Sequence, residues 1–241
     1  MKKICVVVII LSTFILNCSN ANRTSSLEKL SELLGVLWMQ KAAEYTALSY
    51  QAFNIAHMTL DRELKIKRNK KKAIVVDIDE TVLDNTPYLA KTITHNFSYP
   101  KNWNKWCDLA KAKPMPGAVA FLNRASKKGI TIFYISNRKT PVLEGTMKNL
   151  KKYGFPQVNK ENIFLRSSKK DSKLKRRKRL EKKYYFIILM GDNLADFSHV
   201  FGDEIDKTFK QRKQMVKKYR HQFGRRFIVL PNPNYGDFQK S

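Results

Sequence analysis

Four short runs along the chain are apolar almost throughout and stop abruptly at polar or turn-forming residues. They are Ala73-Ile74-Val75-Val76 before Asp77, Ile130 to Ile135 before Ser136-Asn137, Phe186 to Met190 before Gly191-Asp192, and Arg226 to Leu230 before Pro231. Runs of this length without polar alternation predict strands buried on both faces. Helical stretches separate or flank them: Gly117 to Lys128, Thr140 to Tyr153, Leu174 to Lys183 and Ile205 to Phe223. Strands alternating with helices predict an α/β fold, a parallel Rossmann-like sheet flanked by helices and joined by right-handed crossovers. Chemistry in such sheets gathers beyond the carboxyl ends of the strands, which here carry Asp77, Ser136 and Asp192. Ahead of the first strand, Leu27, Leu30, Leu34, Leu37, Trp38, Tyr45, Leu48, Ala52 and Ile55 recur at helical spacing, with no proline and only Gly35 interrupting. That predicts one or two amphipathic helices, followed by a basic connector from Lys65 to Lys72.

The first residues read as an address. Lys2-Lys3 precedes an apolar run of 13 residues, Ile4 to Leu16, shorter than the roughly 20 that span a bilayer as a helix. Asn17-Cys18-Ser19-Asn20 closes the run. The segment 1–18 resembles a bacterial lipoprotein signal, with cleavage before Cys18 and lipid on its sulfur. The expectation is an exported protein held by that lipid at the outer membrane or cell surface. An ordinary secretory signal or an uncleaved anchor are the other readings. With Cys5 removed and Cys18 lipidated, Cys107 is left without a disulfide partner.

Composition narrows the classes further. Hydrophobic residues make up 43% of the chain, which supports a sizeable core and excludes wholesale disorder. Lys and Arg number 47 against 20 Asp and Glu, a formal +27. Such a surface attracts phosphate esters, nucleic acid or anionic lipid. Three cysteines exclude a disulfide scaffold and a cysteine-based zinc site.

The candidate chemistry lies in the acidic residues after the strands. Asp77-Ile78-Asp79 follows the first run, and one intervening residue on an extended chain puts both side chains on one side. Carboxylates so placed repel each other, and a divalent cation relieves the repulsion. Oxygen-only donors favour Mg²⁺. Asp192 and Asp196 share one neighbourhood if a helix begins near Asn193, although an Asp there also serves as an N-cap. Ser136-Asn137-Arg138 offers a hydroxyl and free backbone N–H groups for a phosphate oxygen, or simply makes a strand-to-helix turn.

Taken together, these residues resemble the haloacid dehalogenase superfamily, and within it the class C acid phosphatases, the bacterial lipoprotein 5′-nucleotidases. The resemblance rests on Val75-Val76-Asp77-Ile78-Asp79-Glu80-Thr81-Val82-Leu83-Asp84-Asn85-Thr86-Pro87-Tyr88 and on Ile187 to Phe197. It is extended by Pro116-Gly117-Ala118-Val119, Ser136-Asn137-Arg138 and Leu230 to Asp237. It implies a catalytic core over 73–238 with a small, mainly helical cap inserted at about 85–115, preceded by a helical segment and connector over 19–72. It also implies a role for each matching residue. Asp77 would be the nucleophile that becomes an aspartyl phosphate. Asp79 would protonate the leaving alkoxide and then deprotonate water, its backbone carbonyl joining Asp77 and Asp192 around Mg²⁺, with Asp196 completing the acidic cluster. Ser136 and Asn137 would hold phosphate oxygens. A lysine would offset the incoming charge: Lys173 first, Lys170 second, from the stretch Lys170-Asp171-Ser172-Lys173-Leu174-Lys175-Arg176. Phe97 and Tyr235 would sandwich the ring of the substrate. Trp103 and Trp106, in the cap, would join them around the ring, or pack the cap or a homodimer interface.

The resulting expectation is an exported, Mg²⁺-dependent acid phosphatase of small phosphomonoesters, nucleoside 5′-monophosphates foremost. A second class is a surface lipoprotein that binds nucleic acid or another polyanion on the same fold without turnover, which the charge alone would permit.

Overall fold

A computed structural model describes residues 29–201 and 208–240. The leader, with Cys18 and its expected lipidation, lies outside the described residues. Five parallel strands form the central sheet, in the order β5-β4-β1-β6-β7. They are β1 (Lys71–Val76), β4 (Thr131–Lys139), β5 (Ile163–Arg166), β6 (Tyr184–Gly191) and β7 (Phe227–Val229). The other two strands, β2 (Leu83–Asp84) and β3 (Lys113–Pro114), pair antiparallel and form a short ribbon.

The core explains the unbroken apolar runs. Ile74 and Val76 of β1 point into one hydrophobic cluster, Ala73 and Val75 into another on the opposite face. A period of two with both faces covered leaves no polar position. The first cluster lies under α2 (Ala43–Leu64), α5 (Ala118–Lys127) and α6 (Leu143–Lys152). Leu180 of α7 (Lys173–Glu181) and Met215 and Val216 of α8 (Phe209–Lys218) pack against the second.

The N-terminal segment is helical over 29–41 (α1) and again in α2, broken at Ala42, whose φ of −77° and ψ of 122° are extended. Its buried face differs from the stripe the spacing suggests. Leu30, Leu34, Leu37 and Leu48 are exposed, whereas Ser49, Ala52, Phe53, Ala56 and Leu60 are buried. The narrow, small-residue face allows α2 to lie close to α5, and Ser49 Oγ donates to the carbonyl of Pro116 at 2.8 Å.

Between β2 and β3 the chain forms the expected helical insert, α3 (Thr86–Thr94) and α4 (Trp103–Leu109). The ribbon closes the insert at its base, and polar clamps tie it down. Asn149 of α6 accepts the Ala112 N–H at 3.1 Å and donates to the Ala112 carbonyl at 2.8 Å. Glycine at 145 permits this contact, because a Cβ there would lie 2.8 Å from the Cys107 carbonyl oxygen.

Candidate active site

Three adjacent strands, β4, β1 and β6, end at the site. Asp77 follows β1, and its N–H still donates to the Met190 carbonyl of β6 at 3.0 Å. One carboxylate oxygen each from Asp77, Asp192 and Asp196 lie within 4.8 Å of one another. Asp196 reaches this place on a short 3₁₀ turn, Leu194–Asp196, capped by Asn193. The Asp196 carboxylate accepts the Asn193 N–H at 3.0 Å, so it closes the capping box and joins the acid cluster at once. The turn folds back over Gly191, where any Cβ would collide with the Asp196 side chain. Asp192 is oriented by the Asn232 amide at 2.8 Å and the Thr81 hydroxyl at 3.2 Å, both donating.

Lys173 is buried between these acids. It is the first residue of α7, whose N-cap Ser172 accepts the Lys175 N–H at 3.2 Å. Its Nζ stands 2.7 Å from Asp77 Oδ1 and also donates to Asp196 Oδ1. Lys170, the second candidate, is exposed at the rim of the cavity. Two of the three carboxylates thus share one ammonium. Burial pushes Asp77 well above the usual carboxylate range, with Asp196 and Asp192 adding to the rise against Lys173. Burial and Asp196 likewise push Asp192 up to about 6, against the Asn232 hydrogen bond. For Lys173, burial favours the neutral amine, but Asp196 and Asp77 outweigh it and raise its pKa. Excess negative charge among oxygen donors is the environment of a hard divalent cation.

Asp79 stands outside this cluster, contrary to the expectation that the two carboxylates of Asp77-Ile78-Asp79 face each other. The chain leaves the extended conformation after Asp77. The Ile78 carbonyl accepts the Val82 and Leu83 N–H groups at 3.0 and 2.9 Å, and Glu80 adopts a φ of +53°. The Asp79 carboxylate is gripped by Arg138, with Nη2 donating to Oδ1 at 2.7 Å and Nε to Oδ2 at 3.2 Å. Asn85 Nδ2 donates to Oδ1 at 2.8 Å, and Ser136 Oγ to Oδ2 at 3.2 Å. Ser136 is buried and also accepts the Arg138 N–H at 3.0 Å. Asn137 is exposed, its Oδ1 accepting from Arg176 at 2.9 Å.

Above these groups opens a cavity of about 1110 Å³. Phe97 lines it, half-buried, its ring 6.2 Å from Tyr88. Trp103 lines it too and packs edge-on against Tyr88 at 5.0 Å. Trp106 is a packing residue, buried with its indole N–H donating to Asn85 Oδ1 at 2.8 Å. Tyr235 faces the cavity with its hydroxyl donating to the buried Glu80. Tyr99 and Arg138 belong to the site as well. A tyrosine before a proline gives no signal in the sequence, and the Arg138 grip depends on tertiary contact alone.

Residues 15–238 match the family described as HAD superfamily, subfamily IIIB (acid phosphatase). The fold is similar to that of the class C acid phosphatase from Bacillus anthracis, at 42% identity over 88% of each chain and a TM-score of 0.83. The same Bacillus anthracis enzyme with tungstate bound matches at 43% identity over 88% of each chain, again with a TM-score of 0.83. The chain belongs to the subfamily IIIB acid phosphatases of the HAD superfamily and is a phosphomonoester hydrolase.

Proposed function

We propose that this phosphatase hydrolyses nucleoside 5′-monophosphates with Mg²⁺ in the acid cluster, and that it works outside the cytoplasm on a lipid anchor at Cys18. One observation carries the catalytic reading: Lys173 Nζ is buried between Asp77 and Asp196, 2.7 Å from the Asp77 carboxylate. A lysine there steadies an anionic nucleophile and offsets the phosphate charge that approaches it. Asp77 attacks phosphorus and becomes an aspartyl phosphate. Asp79 gives a proton to the leaving alkoxide and later takes one from water. Ser136, Asn137 and Lys173 hold the non-bridging oxygens. Three carboxylates within 4.8 Å suit Mg²⁺, which when bound supplies the remaining positive charge. The tungstate-bound relative supports a tetrahedral oxyanion in this fold.

The nucleotide reading draws support from the rings that line the cavity, Phe97, Trp103 and Tyr235. Export and anchoring rest on Lys2-Lys3, the run Ile4 to Leu16 and Cys18. Phosphate release from a panel of nucleoside monophosphates and ring-free esters, with and without EDTA, tests the activity. Turnover of 5′-nucleotides that EDTA abolishes and Mg²⁺ restores is expected. Full turnover in EDTA contradicts the metal assignment, and indifference to the ring contradicts the nucleotide assignment. Detergent partition of the wild type, lost in Cys18→Ser, tests the anchor.

A further inference from the structure

The cavity above Asp77 is larger and more basic than one nucleotide requires. Its volume of about 1110 Å³ stands at or above the roughly 300–1,000 Å³ of ordinary small-molecule sites. Its walls differ in chemistry. The cap contributes exposed rings: Tyr99 is 59% exposed and lies edge-on to Trp103 at 5.8 Å.

Another part of the lining is cationic. Arg166, Lys169 and Lys170 line it from the end of β5 and the loop leading to α7. Among the described residues, none of these three forms an ion pair with an acid. The Arg166 guanidinium is fixed by the carbonyls of Ser168 and Lys169, at 3.0 and 2.7 Å, so its charge is held in place without being neutralised. Arg212 joins the cavity from α8, its Nε and Nη1 buried with no hydrogen-bond partner among the described residues. Lys173 and the metal site already match the single phosphate of a mononucleotide. Among the described residues, Arg166, Lys169, Lys170 and Arg212 then have no acidic partner.

We propose that the substrate is a phosphomonoester whose leaving group carries further phosphates beside its ring, namely the phosphorylated end of a short single-stranded nucleic acid. The terminal phosphate goes to Asp77, the first base to the Tyr99–Trp103 wall, and the next phosphodiester to Arg166 and Lys169. Bases stack on such rings with little sequence preference, and cations track the backbone. The bond between phosphorus and the terminal sugar oxygen breaks. Water supplies the oxygen of the released phosphate, and the sugar oxygen leaves as a hydroxyl. The proposal rests on the nucleotide reading above.

The test compares kcat/KM, at low and high salt, for three substrates: thymidine 5′-monophosphate, thymidine 3′,5′-bisphosphate and 5′-phosphorylated tetrathymidylate. The tetranucleotide should exceed the monophosphate by at least about fivefold at low salt, with the gap closing as salt rises. Arg166→Gln/Lys169→Gln should abolish that preference and leave the monophosphate within about twofold, because a phosphodiester contact is absent from the monophosphate. Lys169→Gln alone guards against misfolding of the pair and should halve the preference or more. Lys127→Gln/Lys128→Gln removes the same charge just before the amino end of β4, at the end of the strands opposite the site, and should preserve the preference. Equal rates for tetranucleotide and monophosphate overturn the proposal but not the nucleotide reading. A bisphosphate as good as the tetranucleotide overturns the strand assignment, as does a preference lost equally in the Lys127/Lys128 variant. Hydrolysis of none of the three while a ring-free ester turns over overturns both readings.

Discussion

Arg138 holds Asp79 through both carboxylate oxygens, at 2.7 Å from Nη2 to Oδ1 and 3.2 Å from Nε to Oδ2. The arginine side chain is 1% exposed and the aspartate 16%, so the pair is largely screened from water. Arg138 Nη1 also donates to Thr146 Oγ1 at 3.0 Å. The candidate general acid is therefore positioned largely from β4, braced by α6, with one further hydrogen bond from Asn85. Removing one member of a buried pair leaves an uncompensated charge, which costs about 3–5 kcal/mol. Arg138→Met should lower the unfolding free energy by that order in denaturant titration.

Asp79→Asn separates positioning from proton transfer. General acid catalysis is worth about 10²–10⁴-fold. The kcat/KM of an alkyl phosphate should fall by that factor. That of p-nitrophenyl phosphate, whose leaving group needs no proton, should fall far less. Equal losses on both esters would remove Asp79 from the role of acid.

The cluster of Asp77, Asp192 and Asp196 around one lysine should be relieved by a cation. Mg²⁺ at 100 times its dissociation constant should stabilise the native state by about 2.7 kcal/mol, if it binds only the folded chain. A rise in Tm on adding MgCl₂ to EDTA-treated protein, much reduced in Asp192→Asn, is the expected readout. An unchanged Tm with wild type would remove the metal from this site.

Tyr235 is tied by its hydroxyl to Glu80, in the loop that carries Asp77 and Asp79. Its ring and its hydroxyl are separable. Tyr235→Ala should lower kcat/KM for nucleoside monophosphates by about 5- to 150-fold, the equivalent of roughly 1–3 kcal/mol of stacking, and spare a ring-free ester. Tyr235→Phe should keep the ring preference.

Cys107 is buried, and burial pushes its thiol from 9.0 up to about 12. Because the folded pKa is the higher one, this thiol contributes stability below pH 9 that is lost as pH climbs from about 9 to about 12. At pH 8.5 the Cys107 peptide should resist iodoacetamide in native protein and label rapidly in urea, read by mass spectrometry. Rapid native labelling would show a cap that opens from α6.

The ends of β1 and β6 were readable because a strand buried on both faces stops where a carboxylate begins, and Asp77 and Asp192 follow their apolar runs. β5 escaped because Ile163–Arg166 is only four residues long and half-buried at every second position. β4 runs beyond its apolar stretch to Lys139, so Ser136, Asn137 and Arg138 lie within a strand and not in a turn. The exposed Leu30, Leu34 and Leu37 show the limit of periodicity: spacing defines a helix, but packing chooses which face is buried. Lys173 came from family resemblance, since several neighbouring lysines are identical in type. Its burial between two aspartates separates it from the exposed Lys170. The Arg138 grip on Asp79 spans 59 residues of sequence, and no local pattern encodes it.

The account stands most directly on Asp77 as the group that receives phosphate. Asp77→Asn nearly preserves shape and removes the nucleophilic oxygen. Steady-state kcat/KM on p-nitrophenyl phosphate in saturating Mg²⁺ should fall by at least about 10⁴-fold, equivalent to about 5.4 kcal/mol at 1.36 kcal/mol per tenfold. Acid-quenched wild type should carry a phosphoryl group on the Asp77 peptide, and the variant none. A folded Asp77→Asn protein within about tenfold of wild type would contradict the mechanism.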